Sequence, residues 1–348
     1  MTLLDGWGPG NSRASSGGET RVMRGTYGPN QPYTMMAARA MQLWHEHEER
    51  WGRRLFYRTG VLWLAGADNH EFEQESLASL REAGIPYEEL APRDLGRRWP
   101  QFNLDGVGWG IYEPTSGYLL ARSACMAVLD GFLAEGGEYK QAAVSDNLDQ
   151  RGWNGLKLSD GSSLTADHYV LACGPWLGRL FPEIVGTRLH VTKQEVFFFG
   201  TPVGDDRFSP GTMPVWADHG ERFIYGIPGH DGRGFKVADD TRGPEFDPTS
   251  GDRTVSAEGL QLVRDYVAFR FPALENAPII ESRVCQYENT SDGHFIIDRH
   301  PARDGVWIVG GGSGHGFKHG PAVGEMVAEL VLEEKRAPNC FQLGRFLY

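Results

Sequence analysis

The stretch from Gly305 to Lys335 constrains the fold more than any other: GVWIVGG, then GSGHGFKHGP, then PAVGEMVAELVLEEK. The first segment reads as a short buried strand and the second as a glycine-rich loop. The third is a helix with Val323, Met326, Val327, Leu330 and Val331 on one face. Such a loop lets the backbone approach a ligand closely and aims a helix N-terminus, with its partial positive charge, at an anion. Lys318 adds a full cation inside it. A strand–loop–helix unit of this kind belongs to a parallel sheet, whose ligands lie at the carboxyl ends of the strands.

The opening, MTLLDGWGPGN, reads as another strand end: Thr2, Leu3 and Leu4, then Asp5, then an exit through Gly6, Gly8, Pro9 and Gly10. In a dinucleotide-binding fold an acid placed there takes ribose hydroxyls, roughly 20 residues after a glycine-rich phosphate loop. That loop is not part of this sequence.

Between these ends the pattern changes twice. Helices are expected at Thr34 to Trp51, with Met36, Ala40, Leu43, Trp44 and Trp51 on one face, then at Glu71 to Ala83, Pro92 to Trp99 and Arg122 to Glu135. Strands are expected in LFYRTGVLWLAG, GVGWGIYEPTSGYLL, EYKQAAVSDNL, GLKLSD and SLTADHYVLACG, and HYVLACGPW reads as a buried strand running into Gly174. From Leu189 to about Asp292, strands separated by Pro/Gly loops (HVTKQEVFFFG, RFIYGIPG, ESRVCQYEN), with one helix near Ser256 to Phe271, indicate a mostly antiparallel sheet. The fold class is therefore α/β plus α+β, a parallel-sheet domain interleaved with an antiparallel one.

A net charge of −12 argues against nucleic acid or an anionic membrane as partner. No apolar run is long enough to span a bilayer and no leader pattern opens the chain, so a cytoplasmic protein is expected. Cys125, Cys173, Cys285 and Cys340 form no CxxC pair, and His45 and His47 are not spaced to share a metal on a helix, so no metal site is expected.

Three segments carry charge or nucleophiles. In SSGGETRVMRGTYG, Arg21 and Arg24 are three apart and would share a helical face, as a carboxylate or phosphate site or as surface ion pairs. Cys285 lies in an alternating strand pattern, where a single cysteine is ordinarily packing. Lys236 follows the aromatic, glycine-rich run from Tyr225 to Phe235.

In order along the chain, GGETRVMRGTYG, RTGVLWLAG, YEPTSGYL, VLACGPW, IYGIPG with GFK, VCQYENTSDGHFIID and GGGSGHGFK resemble the monomeric sarcosine oxidase and N-methyltryptophan oxidase family of FAD enzymes, within the D-amino-acid oxidase-like group. The resemblance covers nearly the whole chain. It implies an FAD-binding Rossmann-like domain from residues 1–58, 118–188 and 293–348, lacking its N-terminal GxGxxG segment. It also implies a substrate and catalytic domain from 59–117 and 189–292. The activity implied is oxidation of a secondary or N-methyl amino acid to an imine that water hydrolyses, with O2 reduced to H2O2, by a monomer.

By the same resemblance Cys285 bonds covalently to FAD, Asp5 takes its ribose, and Gly312, Gly314, His315, Gly316 and Phe317 contact the cofactor. Arg24 and Lys318 grip the substrate carboxylate. Arg21 lies beside the flavin, Lys236 activates oxygen, and Tyr225 and Tyr287 line the substrate pocket as catalytic residues. Two departures from the family bear on the substrate. Ser16 and Gly17 stand where a histidine pair is frequent, and Asp240 stands at a substrate-binding position where a histidine is usual. An acid there favours a more cationic substrate. A flavin dehydrogenase with another electron acceptor, or a binding protein unable to hold FAD, remain the alternatives.

Overall fold

The computed structural model describes residues 1–67, 70–145, 148, 155–333 and 335–346. Its largest element is an eight-stranded sheet, in the order Ile279–Thr290, Leu189–Phe199, Phe235–Asp239, Phe223–Ile227, Val215–His219, Val61–Gly66, Val107–Glu113, Glu88–Leu90. Neighbours are antiparallel except Val215–His219 with Val61–Gly66, a parallel join between distant parts of the chain. The two long strands pair along most of their length, with Gln194 opposite Cys285 and Thr192 opposite Tyr287.

Side chains alternate across a strand, and that alternation gives the two faces different tasks. Phe197, Phe199, Trp216, Phe235 and Val237 point to one side, where Val263, Val267 and Phe271 of the Ala257–Arg270 helix region bury them. Val196, Phe198 and Ala238 point to the other side with Tyr225. By the same period Lys236, Cys285 and Tyr287 share this second face. The helix is tied to the sheet by a buried ion pair: Asp218 accepts hydrogen bonds from Arg270 at 2.7 and 3.1 Å and from the Tyr266 hydroxyl at 2.6 Å.

The remaining chain forms smaller sheets. Thr2–Asp5 pairs in parallel with Glu138–Gln141, and Tyr169–Leu171 pairs in parallel with Val306–Gly310, which also takes Ile296–Arg299 antiparallel. Thr20–Met23, Gly117–Leu120 and Phe56–Tyr57 form an antiparallel sheet. Helices Gln31–Trp51 and Gly320–Leu332 pack together over a core containing Phe295, Ile297 and Trp307. No helix among the described residues is long and apolar enough to cross a membrane.

Two sequence expectations need correction. HYVLACGPW is not a wholly buried strand: only Tyr169–Leu171 is extended, and Val170 is 44% exposed while its neighbour Leu171 is buried, because successive side chains point to opposite faces and only one face is covered. Arg21 and Arg24 do not share a helical face, since Arg21 lies on strand Thr20–Met23, paired to Gly117–Leu120, and Arg24 follows it. The long terminal helix starts at Gly320, after a separate 3-10 turn at Phe317–His319 that carries Lys318. Asp146 and Asn147 of the expected EYKQAAVSDNL strand and Glu334 of the last helix lie outside the described residues.

Candidate active site

One cavity lies against the second face of the large sheet. Tyr225, Asp240, Cys285 and Tyr287 line it from the sheet, Arg21 and Arg24 from the segment around strand Thr20–Met23, and Gly314, His315, Phe317 and Lys318 from the glycine-rich loop. Segments some 290 residues apart thus supply its cations.

Arg24 leaves its strand into a turn held by a buried carboxylate. Glu113 accepts from the Gly25 and Thr26 amides at 2.7 and 3.0 Å and from the Thr26 and Ser116 hydroxyls at 2.6 and 2.5 Å. A Cβ at Gly25 would lie 2.4 Å from Ile85 Cδ1, so any larger residue there would have to push the Ile85 side chain aside. The turn sets the Arg24 guanidinium 4.3 Å from the Tyr27 ring centroid and 4.9 Å from that of Trp63. Two aromatic faces hold the cation without neutralising it. Its Nη1 is buried and has no hydrogen-bond partner among the described residues.

Lys318 meets the same aromatic ring from the other side of the fold. Its Nζ donates to the Tyr27 hydroxyl and to the His315 carbonyl, both at 3.0 Å. Burial, then Arg24, pushes its ammonium well below the usual lysine range. The Tyr27 hydroxyl also shares a 2.8 Å hydrogen bond with His319 Nε2. The Arg24 cation and an amine whose protonation it opposes are therefore held beside one phenol, and an anionic ligand there would favour the charged form of Lys318. Gly314, at φ +82, keeps the loop close to the sheet, where a Cβ would lie 2.6 Å from Tyr287.

Arg21 spans the gap to the cysteine. It donates to the carbonyls of Thr20 and Ser15 at 3.0 Å and of Gly17, and its Nη2 lies 3.4 Å from Cys285 Sγ. Cys285 is a free thiol. Lys236 does not line the cavity; its Nζ donates to the Thr20 carbonyl at 3.0 Å, 5.7 Å from the Tyr225 ring centroid. Burial, then the nearby Arg21 cation, pushes Lys236 down to about 7. Between that value and the unfolded one near 10.4, the unfolded chain binds the extra proton, so folding stability rises with pH across this window. From pH 7 to pH 9.5 the Lys236 contribution is expected to be about 2–3 kcal/mol, so the gain in Lys236→Met should be smaller than the wild-type gain by that amount. Urea denaturation at the two pH values measures it.

The expected cofactor residues divide. Gly314, His315 and Phe317 reach the cavity, whereas Asp5, Gly312 and Gly316 do not line it. Asp5 ends strand Thr2–Asp5 and accepts from the Trp7 and Gly8 amides at 2.8 and 2.7 Å. Gly312 donates to Glu288 Oε1 at 3.2 Å. Burial raises the Glu288 carboxyl to about 7, and its Oε2 has no partner among the described residues. Buried Ser15 Oγ and Asn289 Oδ1 are likewise without partners. Buried polar atoms without partners, a glycine loop open to close approach, and cations beside a free thiol fit a polar, anionic cofactor such as FAD.

Sequence reasoning did not single out Tyr27, Trp63 or Glu113. Tyr27 stood inside the quoted RGTYG motif, but only the tertiary structure shows that it joins Arg24 to Lys318.

A family model described as FAD dependent oxidoreductase (DAO) matches residues 1–330. The chain belongs to the FAD dependent oxidoreductase family. Within it the sequence is similar to a monomeric sarcosine oxidase of Bacillus sp. (strain B-0618), 30% identical over 340 residues, 96% of this chain and 86% of that protein. It is also similar to an N-methyl-L-tryptophan oxidase of Yersinia pestis, 27% identical over 99% of this chain and 92% of that protein. An L-proline dehydrogenase from P. horikoshii shares the fold, with a TM-score of 0.82 at 21% identity over 99% of this chain and 97% of that one. This FAD dependent oxidoreductase therefore carries its two cavity-lining arginines and Lys318 on a cofactor-binding scaffold.

Proposed function

We propose that the protein oxidises a secondary or N-methyl amino acid to an imine that water hydrolyses, using FAD held covalently at Cys285 and passing the electrons to O2 to give H2O2. The observation that carries this reading is the pairing of Arg24 and Lys318 on Tyr27 at the wall of the cavity that also holds Cys285. The named activities of the similar proteins, sarcosine oxidase and N-methyl-L-tryptophan oxidase, support it, and the Bacillus protein's name supports a monomer.

Bound FAD supplies a two-electron acceptor for the hydride equivalent leaving the carbon next to nitrogen. The protein's part is positioning. Arg24 Nη1 and Lys318 Nζ bind the substrate carboxylate, and Tyr225 and Tyr287 wall the space around the amine. Arg21 and Cys285 hold the cofactor side of the cavity. Lys236, when protonated, sets a cation behind Tyr225 that favours negative charge developing on oxygen.

Anaerobic mixing with a panel of N-methyl amino acids should bleach the flavin absorbance, and admission of air should yield peroxide. No bleaching by any member overturns the amino-acid reading, and bleaching without peroxide overturns O2 as acceptor. Cysteine attachment is tested separately by acid precipitation. Wild-type flavin is expected in the pellet and Cys285→Ser flavin in the supernatant; flavin retained by the variant rules out attachment at Cys285.

A further inference from the structure

We propose that Asp240 is the counter-ion and proton acceptor of the substrate's amine, so that the enzyme takes its amino acid as the zwitterion, with carboxylate on Arg24 and Lys318 and ammonium on Asp240. The proposal rests on the amino-acid reading above and specifies the charge state that the site selects.

Asp240 follows strand Phe235–Asp239 and lines the cavity. The Tyr287 hydroxyl donates to its Oδ1 at 2.5 Å. Oδ2 takes no hydrogen bond from the described residues, and none of their cations forms an ion pair with Asp240. Asp240 is half-buried, so its second oxygen opens into the cavity and is free to accept from a ligand. Burial raises this carboxyl to about 6, against the pull of Tyr287, Arg24 and Lys318. At neutral pH the cavity wall therefore presents a carboxylate that no Lys or Arg of the described residues contacts directly, with one oxygen free for a cation of the ligand.

The groups facing Asp240 come from several elements. Tyr225 stands on the neighbouring strand Phe223–Ile227, Tyr287 on Ile279–Thr290 two strands away, Arg24 and Tyr27 on the turn after Thr20–Met23, Lys318 on the 3-10 turn, and Asp239 on its own strand. Burial pushes all three phenols up, so they stay protonated and neutral. The ionic complement of this wall is a molecule with one carboxylate and, within reach of it, one cation. An α-amino acid in its zwitterionic form is the smallest such molecule. The proton step balances without an oxidant: one N–H bond of the ammonium breaks, one O–H bond forms on Asp240, and the amine keeps its lone pair. That lone pair is needed before a hydride equivalent leaves the adjacent carbon.

The test compares two ligands of the same shape: sarcosine, with an ammonium group, and methoxyacetate, with an ether oxygen in its place. Each is titrated calorimetrically into dithionite-reduced holoenzyme, in which no turnover occurs. Wild type is expected to prefer sarcosine by about tenfold or more, the worth of one hydrogen bond between charged groups. The preference should weaken below the value near 6 at which Asp240 takes a proton. In Asp240→Asn it should collapse to about twofold or less, and in Asp240→Glu it should survive in part. The same preference in wild type and Asp240→Asn overturns the proposal, as does equal binding of both ligands by wild type. Failure of wild type to bind either ligand removes the carboxylate clamp, and with it the amino-acid reading.

Discussion

Replacing Arg24 by methionine is expected to lower kcat/KM for the amino acid by about 10²- to 10³-fold, the loss of a desolvated, charge-assisted contact to a carboxylate. The effect should fall mainly on KM, since the contact is made to a group that does not change charge in the reaction. Arg24 suits this test because it is not committed to a protein anion. It sits between the rings of Tyr27 and Trp63, with Nη1 unpartnered among the described residues. Methionine fills much of the same space, and the fold loses about 1–2 kcal/mol of cation–π attraction. Steady-state kinetics beside a thermal melt separates the two effects. A variant with unchanged KM would show that the carboxylate is held elsewhere. Lys318 is less clean a target, because its ammonium already donates to Tyr27 and His315 and its removal disturbs the loop.

The largest expected loss of stability lies on the opposite face of the large sheet, under the Ala257–Arg270 helix. Arg270→Met should destabilise the fold by about 3–5 kcal/mol, because it leaves Asp218 charged and buried without its partner. Arg270 also donates to the carbonyls of Asn103 and Asp105, so its loss loosens the loop that crosses the helix end. A second substitution, Asp218→Leu in the Arg270→Met background, is expected to recover most of the loss by removing the orphaned charge. Denaturation midpoints of the two variants and wild type check both statements. Equal midpoints for the single and double variants would show that packing, rather than the unpaired carboxylate, sets the cost.

Much of the site was legible as sequence, and for local reasons. The glycine-rich loop with Lys318 lies between a strand and a helix, as its punctuation implies. Cys285 and Tyr287 share a strand face because they are two residues apart. The SRVCQYEN alternation was visible, and so was the change to antiparallel texture after Leu189. The failures were also physical. The spacing of Arg21 and Arg24 was read with a helical period, but the segment pairs with Gly117–Leu120, and tertiary pairing overrode the local pattern. HYVLACGPW reads as buried because its residues are apolar, yet side-chain burial depends on which face of the strand is covered, and here Leu171 is covered while Val170 is not.

The sequence by itself determined the order of elements, the faces of its strands and helices, and the family to which the chain belongs, since period and punctuation act over a few residues and survive in any register. Only the tertiary structure decided the chemistry. Tyr27 joins Arg24 to Lys318 across 291 residues of chain, Lys236 is pushed down to about 7, and Asp240 is raised to about 6. Proton affinity and ligand charge depend on desolvation and on neighbours within a few ångströms, and those neighbours come from opposite ends of the chain.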